Sequence, residues 1–261
     1  MVFKSIILFA AAFAGLVGAY PTLPAELPTR IIQGTSPDPD SLELTAGRKM
    51  FDDLYKAFGQ EAFLNAIESN LTEADTYWNK IFSENKGGRR QSLVVVQGYT
   101  SPSILNATTV LTWNQATGTG FPNQFLETNP QHWLSYSGPG VAATPYKNAT
   151  SINVETYGNG PQLTTYFYAT PITKPSWMPA ISEFPADQQI AAQMLLRDGS
   201  LFAHGLTAVR TLPGNIGVEL YQSMWIPDNT DDWVYDGLTY HLTIEFTNWL
   251  RKAYEFGLAH Q

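Results

Sequence analysis

From residue 41 to 84, apolar side chains recur at intervals of three and four. The first set is Leu44, Met50, Phe51, Leu54, Tyr55 and Phe58; beyond Gly59 come Phe63, Leu64 and Ile67, and then Tyr77, Trp78, Ile81 and Phe82. That spacing is one face of an α-helix, and Gly59 together with Thr72, a residue type that caps helix N-termini, divides the stretch into three helices. Glu73 and Asp75 fall in the first turn of the third, where the helix dipole favours carboxylates. From residue 91 the period shortens, predicting strands over 92–99, 108–114, 132–136, 152–157 and 163–170. The last two flank Gly158-Asn159-Gly160-Pro161, a hairpin signal. Residues 115–131 and 137–150 read as loops, 171–185 as a proline-rich connector, and 186–197 as a short helix carrying Ile190, Met194 and Leu195.

The last sixty residues organise the rest. Residues 200–226 form two strands around Leu212-Pro213-Gly214-Asn215, where proline presets φ and glycine accepts a positive one. If Leu212 pairs with Asn215, then Phe202 faces Trp225, His204 faces Ser223, Leu206 faces Tyr221 and Ala208 faces Glu219, with Arg210 diagonal to Glu219. The opposite face, with Leu201, Ala203, Val209, Val218, Leu220, Met224 and Ile226, is almost wholly apolar. Both faces therefore read as buried, one under a helix and the other lining a cavity. A long helix follows over 233–258, with Leu238, Leu242, Phe246, Trp249, Ala253 and Phe256 along one stripe. Helices first, then sequential strands, then a closing helix is an α+β order with a curved, mainly antiparallel sheet.

Residues 1–19 carry one early cation, Lys4, then an apolar run from Ile6 to Val17 and the small residues Gly18 and Ala19, the form of a secretory signal peptide. A proline-rich arm over 20–41 and one α+β domain over 42–261 complete the division. Three Asn-x-Thr triplets, at Asn70, Asn106 and Asn148, are candidate glycosylation sites and fit a secreted chain or one in the lumen of the secretory pathway. With no cysteine there is no disulfide, thiolate metal site or cysteine nucleophile. A formal charge of −8 without a basic run argues against nucleic acid and anionic membrane as partners.

Candidate chemistry concentrates in the hairpin and last helix: His204, Arg210, His241 and Glu245 among the aromatic walls Phe202, Tyr221 and Trp225. His241 and Glu245 are one helical turn apart and in reach of each other. A carboxylate on an apolar stripe must be paired, protonated or lining a cavity, and histidine titrates where proton transfer is useful. If the four converge, the His241/Glu245 pair or His204 shuttles a proton while Arg210 holds a carboxylate, anhydride or enolate oxygen. The plainer alternative is a structural His241/Glu245 pair, a core histidine at 204, and an Arg210–Glu219 salt bridge. A metal triad of His204, His241 and Glu245 has no recognised ligand spacing, and no phosphate- or dinucleotide-binding motif is present in usable form, so no metal and no cofactor are expected.

The leader, the triplets, the lack of cysteine, the three N-terminal helices and the polar cluster on aromatic walls resemble the secreted ketosteroid-isomerase-like proteins (the NTF2-like cone) of fungal biosynthetic pathways. That group includes the dimerising cyclases of maleidride formation. The resemblance covers residues 42–258 in element order and matches no motif, so it supplies no catalytic residue. Its closing helix departs from a cone that ends in strands; a START-like helix-grip fold, the alternative architecture, ends in such a helix. The resemblance implies a cofactor-independent lyase, isomerase or cyclase acting on a small, largely apolar carboxylate- or anhydride-type metabolite, and a homodimer. The alternative function is a non-catalytic carrier of a hydrophobic ligand or a secreted interaction protein.

Overall fold

The computed structural model describes residues 39–101, 104–117, 126, 128–129, 131–137, 149–157 and 163–260. The segment expected to be a signal peptide, most of the arm, most of the two long loops, the turn at 158–161 and Asn148 lie outside the described residues. Helix α1 spans Pro39–Ala66 and breaks its helical geometry at Gly59 (φ 72, ψ 170), as its position in the hydrophobic pattern predicts. Helix α2 spans Glu68–Glu84. It begins four residues before Thr72, so Thr72 is interior rather than a cap. The first stripe of α1 is not a core face throughout, since Met50 and Phe58 are exposed.

Seven strands follow in one antiparallel sheet: β1 Arg89–Tyr99, β2 His132–Ser137, β3 Ser151–Tyr157, β4 Leu163–Ile172, β5 Gln189–Leu196, β6 Leu201–Thr211 and β7 Gly217–Pro227. Their order across the sheet is β1-β7-β6-β5-β4-β3-β2. Helix α3, Ala107–Thr117, crosses from β1 to β2, and helix α4, Asp232–Ala259, closes the chain. Val234, Leu238, Leu242, Phe246, Leu250 and Ala253 of α4 share one buried cluster with Val209, Val218, Leu220, Met224 and Ile226 of the sheet. A curled antiparallel sheet wrapped on a long C-terminal helix is the helix-grip arrangement, the alternative drawn from the sequence rather than the cone.

Two elements differ from expectation. The stretch read as a strand over 108–114 is α3: its β-branched residues favour extended backbone, but the Asn106 side-chain oxygen accepts the Thr109 N–H (3.0 Å) and starts a helix that buries Val110 and Trp113. The stretch read as a helix over 186–197 is a single 3-10 turn, Ala186–Gln188, and then β5. Its apolar spacing suits either form, and hydrogen bonding to β4 on one side and β6 on the other selects the strand.

The β6–β7 hairpin also has a longer turn than expected. The Leu212 N–H donates to the Gly217 carbonyl (2.8 Å), and a 3-10 turn with Gly214 and Asn215 at positive φ fills the gap. His204 therefore faces Trp225, and Arg210 faces Glu219 directly. A slip of two residues leaves every side chain on its expected face, because the strand repeat is two. Phe202 is the exception. A register irregularity opposite Met194 and Leu195 turns it to the α4 side, against Trp78 (4.7 Å between ring centroids), Phe167 and Tyr157. The face expected to line a cavity is instead covered by the proline-rich connector: Met178, Ile181 and Phe184 pack on Leu206, Ala208, Tyr221 and Trp225.

Candidate functional site

The sheet separates the four side chains expected to converge. His204 and Arg210 lie on the connector side. The Arg210 guanidinium binds Glu219 (Nε 2.9 Å and Nη2 2.7 Å from Oε1) and sits 4.9 Å from the Phe184 ring, while Gln97 donates to the other oxygen of Glu219. This is the salt-bridge alternative. His204 sits edge-on to Trp177 (5.1 Å), with Trp225 beside that indole (5.5 Å) and Arg89 stacked over it (4.6 Å). Tyr221 contacts Phe184, so Tyr221 and Trp225 belong to this outer cluster, and Phe202 to the inner core.

Burial, and then the nearby Arg89 charge, lower the His204 pKa below 6.5. The unfolded chain therefore binds this proton first as pH falls, so the neutral ring stabilises the fold above about pH 6.5 and that contribution is lost at lower pH. In a pH titration followed by NMR, His204 is expected to titrate below 6.5, and Arg89→Ala to move it back upward.

His241 and Glu245 do meet, on the α4 side, and two residues absent from the sequence expectation join them. His132 comes from β2 and Glu155 from β3. The two histidine Nε2 atoms are 3.1 Å apart. His241 Nε2 lies 3.3 Å from Glu155 Oε2 and 3.7 Å from Glu245 Oε2, and His132 Nε2 lies 3.8 Å from Glu155 Oε1 and 3.9 Å from Glu245 Oε2. Both imidazoles are buried, whereas the carboxylate side chains keep 13% and 14% of their surface open, giving solvent a way in.

Local structure explains the convergence. His132 pairs with Glu155, but the next registered pair is Leu134 with Val154, so β2 carries an irregularity between them. Strict alternation would put His132 on the face of Leu134, which packs with Val154, Ile152 and Leu71. The irregularity swings it to the other face, toward α4. Two amides then fasten the strap of residues 128, 129 and 131 to the helix: Asn129 Nδ2 donates to the His241 carbonyl (2.9 Å), and Asn248 Nδ2 to the Thr128 carbonyl (2.8 Å). The strap brings Gln131 Oε1 to 3.2 Å from His241 Nδ1, which orients the ring with Nε2 facing the cluster. The Tyr157 hydroxyl donates to Glu155 (2.7 Å), and its ring meets His241 edge-on at 5.1 Å.

The two carboxyl groups are pushed apart electrostatically. Burial alone would raise Glu155, but His132, His241 and the Tyr157 hydroxyl outweigh it and hold the group at about 2. Burial, and then the Glu155 charge, drive Glu245 well above the usual carboxylate range, opposed only by the Trp249 indole. Tyr157 is also pushed well above its usual value by burial and then by Glu155. Two carboxyl groups this close oppose each other's ionisation, and the surroundings favour the charge on Glu155.

Sequence reasoning found the half of this centre that lies one turn apart on a helix. His132 and Glu155 sit on separate strands, and neither alternation nor spacing marks them. No protein-family model matches the sequence, and no curated protein matches it. Solved structures do. They include a START superfamily protein from Mycobacterium smegmatis (TM-score 0.40, 12% identity, 65% of this chain and 99% of that one) and Ara h 8.0201 (0.35, 10%, 66% and 99%). The KanY protein is a third (0.34, 9%, 64% and 98%). The likeness is one of fold. At such TM-scores it says nothing about ligand or chemistry.

Proposed function

We propose that this chain takes a small, largely apolar molecule against the His132/Glu155/His241/Glu245 centre and moves a proton on it, as a lyase, isomerase or cyclase does. The observation that carries this reading is the convergence of four proton-carrying side chains from β2, β3 and α4 within 3.9 Å contacts at the margin of an aromatic core. A purely structural ion pair, such as Arg210–Glu219, sets one cation against one carboxylate. Two buried carboxylates held together cost stability, and sites that accept such a cost are commonly functional. The expected preference for a carboxylate or anhydride loses the residue it rested on, because Arg210 is engaged on the other face. The leader-like N-terminus and the glycosylation triplets support a role in the secretory pathway.

A second reading, a non-catalytic carrier of an apolar ligand, is favoured by the helix-grip architecture itself, since a sheet curled round a helix suits enclosing such a molecule. Deuterium uptake separates the two. Small ketones, esters and anhydrides with acidic C–H bonds are incubated with the protein in D2O and followed by NMR. An enzyme of this class is expected to exchange the acidic position of at least one of them far faster than buffer does. A carrier binds and perturbs resonances without exchange, and that result would sink the catalytic reading.

A further inference from the structure

We propose that His132, His241 and Glu155 bind one divalent transition-metal ion, zinc by the spacing of their donor atoms, with Glu245 beside the ion's remaining position. This rests on the reading of the centre as functional and departs from the sequence expectation of no metal. One donor atom from each of the three residues can be chosen so that all lie within 4.8 Å of one another. The closest separations are shorter: 3.1 Å between the two Nε2 atoms, and 3.3 and 3.8 Å from them to the Glu155 oxygens. Tetrahedral zinc with bonds of about 2.0–2.1 Å requires donor separations of roughly 3.3 Å. These closest separations bracket that figure, the two to Glu155 being made by different oxygens, so a small turn of the carboxylate would bring one oxygen to both imidazoles.

Three further features suit an ion. The Gln131 side-chain oxygen beside His241 Nδ1 orients the ring with Nε2 inward, the outer contact that metal-binding histidines characteristically make. The Tyr157 hydroxyl plays the same part for Glu155. A divalent cation would also let both carboxyl groups ionise, since it neutralises the two negative charges that they would then carry beside neutral imidazoles. Imidazole and carboxylate donors without thiolate suit zinc, iron(II) or manganese(II) rather than softer ions. Glu245 Oε2, at 3.7 and 3.9 Å from the two Nε2 atoms, is placed either as a fourth ligand or as a partner for a molecule bound there.

The test uses the full chain, stripped with a chelator, equilibrated in turn with Zn2+, Co2+, Mn2+ and Fe2+, desalted, and assayed for metal per chain. About one ion of zinc or cobalt per chain is expected, with the visible spectrum of tetrahedral Co2+. His132→Ala and Glu155→Gln are each expected to weaken zinc binding on the order of a hundredfold or more, and Gln131→Ala about ten- to a hundredfold, with circular dichroism unchanged. The milder Gln131→Ala keeps the test decisive if a ligand variant fails to fold. Preference for manganese or iron(II) would overturn the zinc assignment. Uptake well below one ion per chain, or uptake that all three variants leave untouched, would overturn the site. Stoichiometric uptake with no deuterium exchange on any substrate upholds the ion and overturns the catalytic reading; exchange by a chain that takes up no metal does the reverse.

Discussion

Glu245→Gln is expected to lower turnover by about a hundred- to ten-thousandfold, the usual worth of a positioned acid or base, while the thermal midpoint stays within about 3 °C of wild type. The substitution keeps the shape of the side chain and removes its ability to give up or accept a proton. Glu245 is suited to this work by position: one turn from His241, 3.7 Å from its Nε2, and still 14% open on the side chain. Burial and the Glu155 charge favour its protonated form, which glutamine imitates sterically, so the fold has little reason to respond. The rate is read on the substrate found by deuterium exchange, and binding of that substrate is measured alongside. Lost turnover with retained binding is the enzyme's signature. Unchanged turnover would remove Glu245 from the chemistry. His204→Ala, on the far face of the sheet, is expected to leave the rate unchanged, and a large loss there would mean that the substrate does not bind on the α4 side.

Trp78→Ala is expected to destabilise the fold by about 3–5 kcal/mol, the usual cost of removing a large aromatic side chain from a core. For a chain of this size that corresponds to a fall on the order of 10 °C in the unfolding midpoint. Trp78 is fully buried where α2 meets the sheet. Its ring packs against Phe202 (4.7 Å), Tyr77 (5.1 Å) and Phe82 (6.2 Å), and its indole N–H donates to Thr165 Oγ1 (3.0 Å). Alanine leaves a void between two layers and a buried threonine hydroxyl short of a partner. Phe58→Ala, on the exposed face of α1, is the control, with an expected change within about 0.5 kcal/mol. Denaturant melts of both variants check the pair. A loss below about 1 kcal/mol for Trp78→Ala would mean that α2 is not held by this core.

Patterns that repeat within one element could be read from the chain. The break at Gly59, the buried stripe of α4, the hairpin and, apart from Phe202, its face assignment, and the His241/Glu245 neighbourhood all follow from periods of 3.6 and 2.0, which the backbone imposes locally. Even the error in hairpin register did no harm to the faces, because it was a slip of two.

Contacts with distant partners decided the rest. Residues 107–117 and 189–196 have spacings that fit either a helix or a strand, and each took the form that its neighbours could complete: packing against α4 for the first, hydrogen bonds to two flanking strands for the second. The candidate centre shows the same division. Its helical half was legible because residues i and i+4 always meet on a helix, and its other half was not. His132 reaches the α4 side only through the irregularity between His132 and Leu134, Glu155 only through pairing with β2, and both are held by a strap bonded to α4 more than a hundred residues along the chain. Arg210 and His204 share a hairpin face that the sequence located well. Which side of the sheet α4 would cover is a matter of packing the whole molecule, and that packing placed them away from the centre.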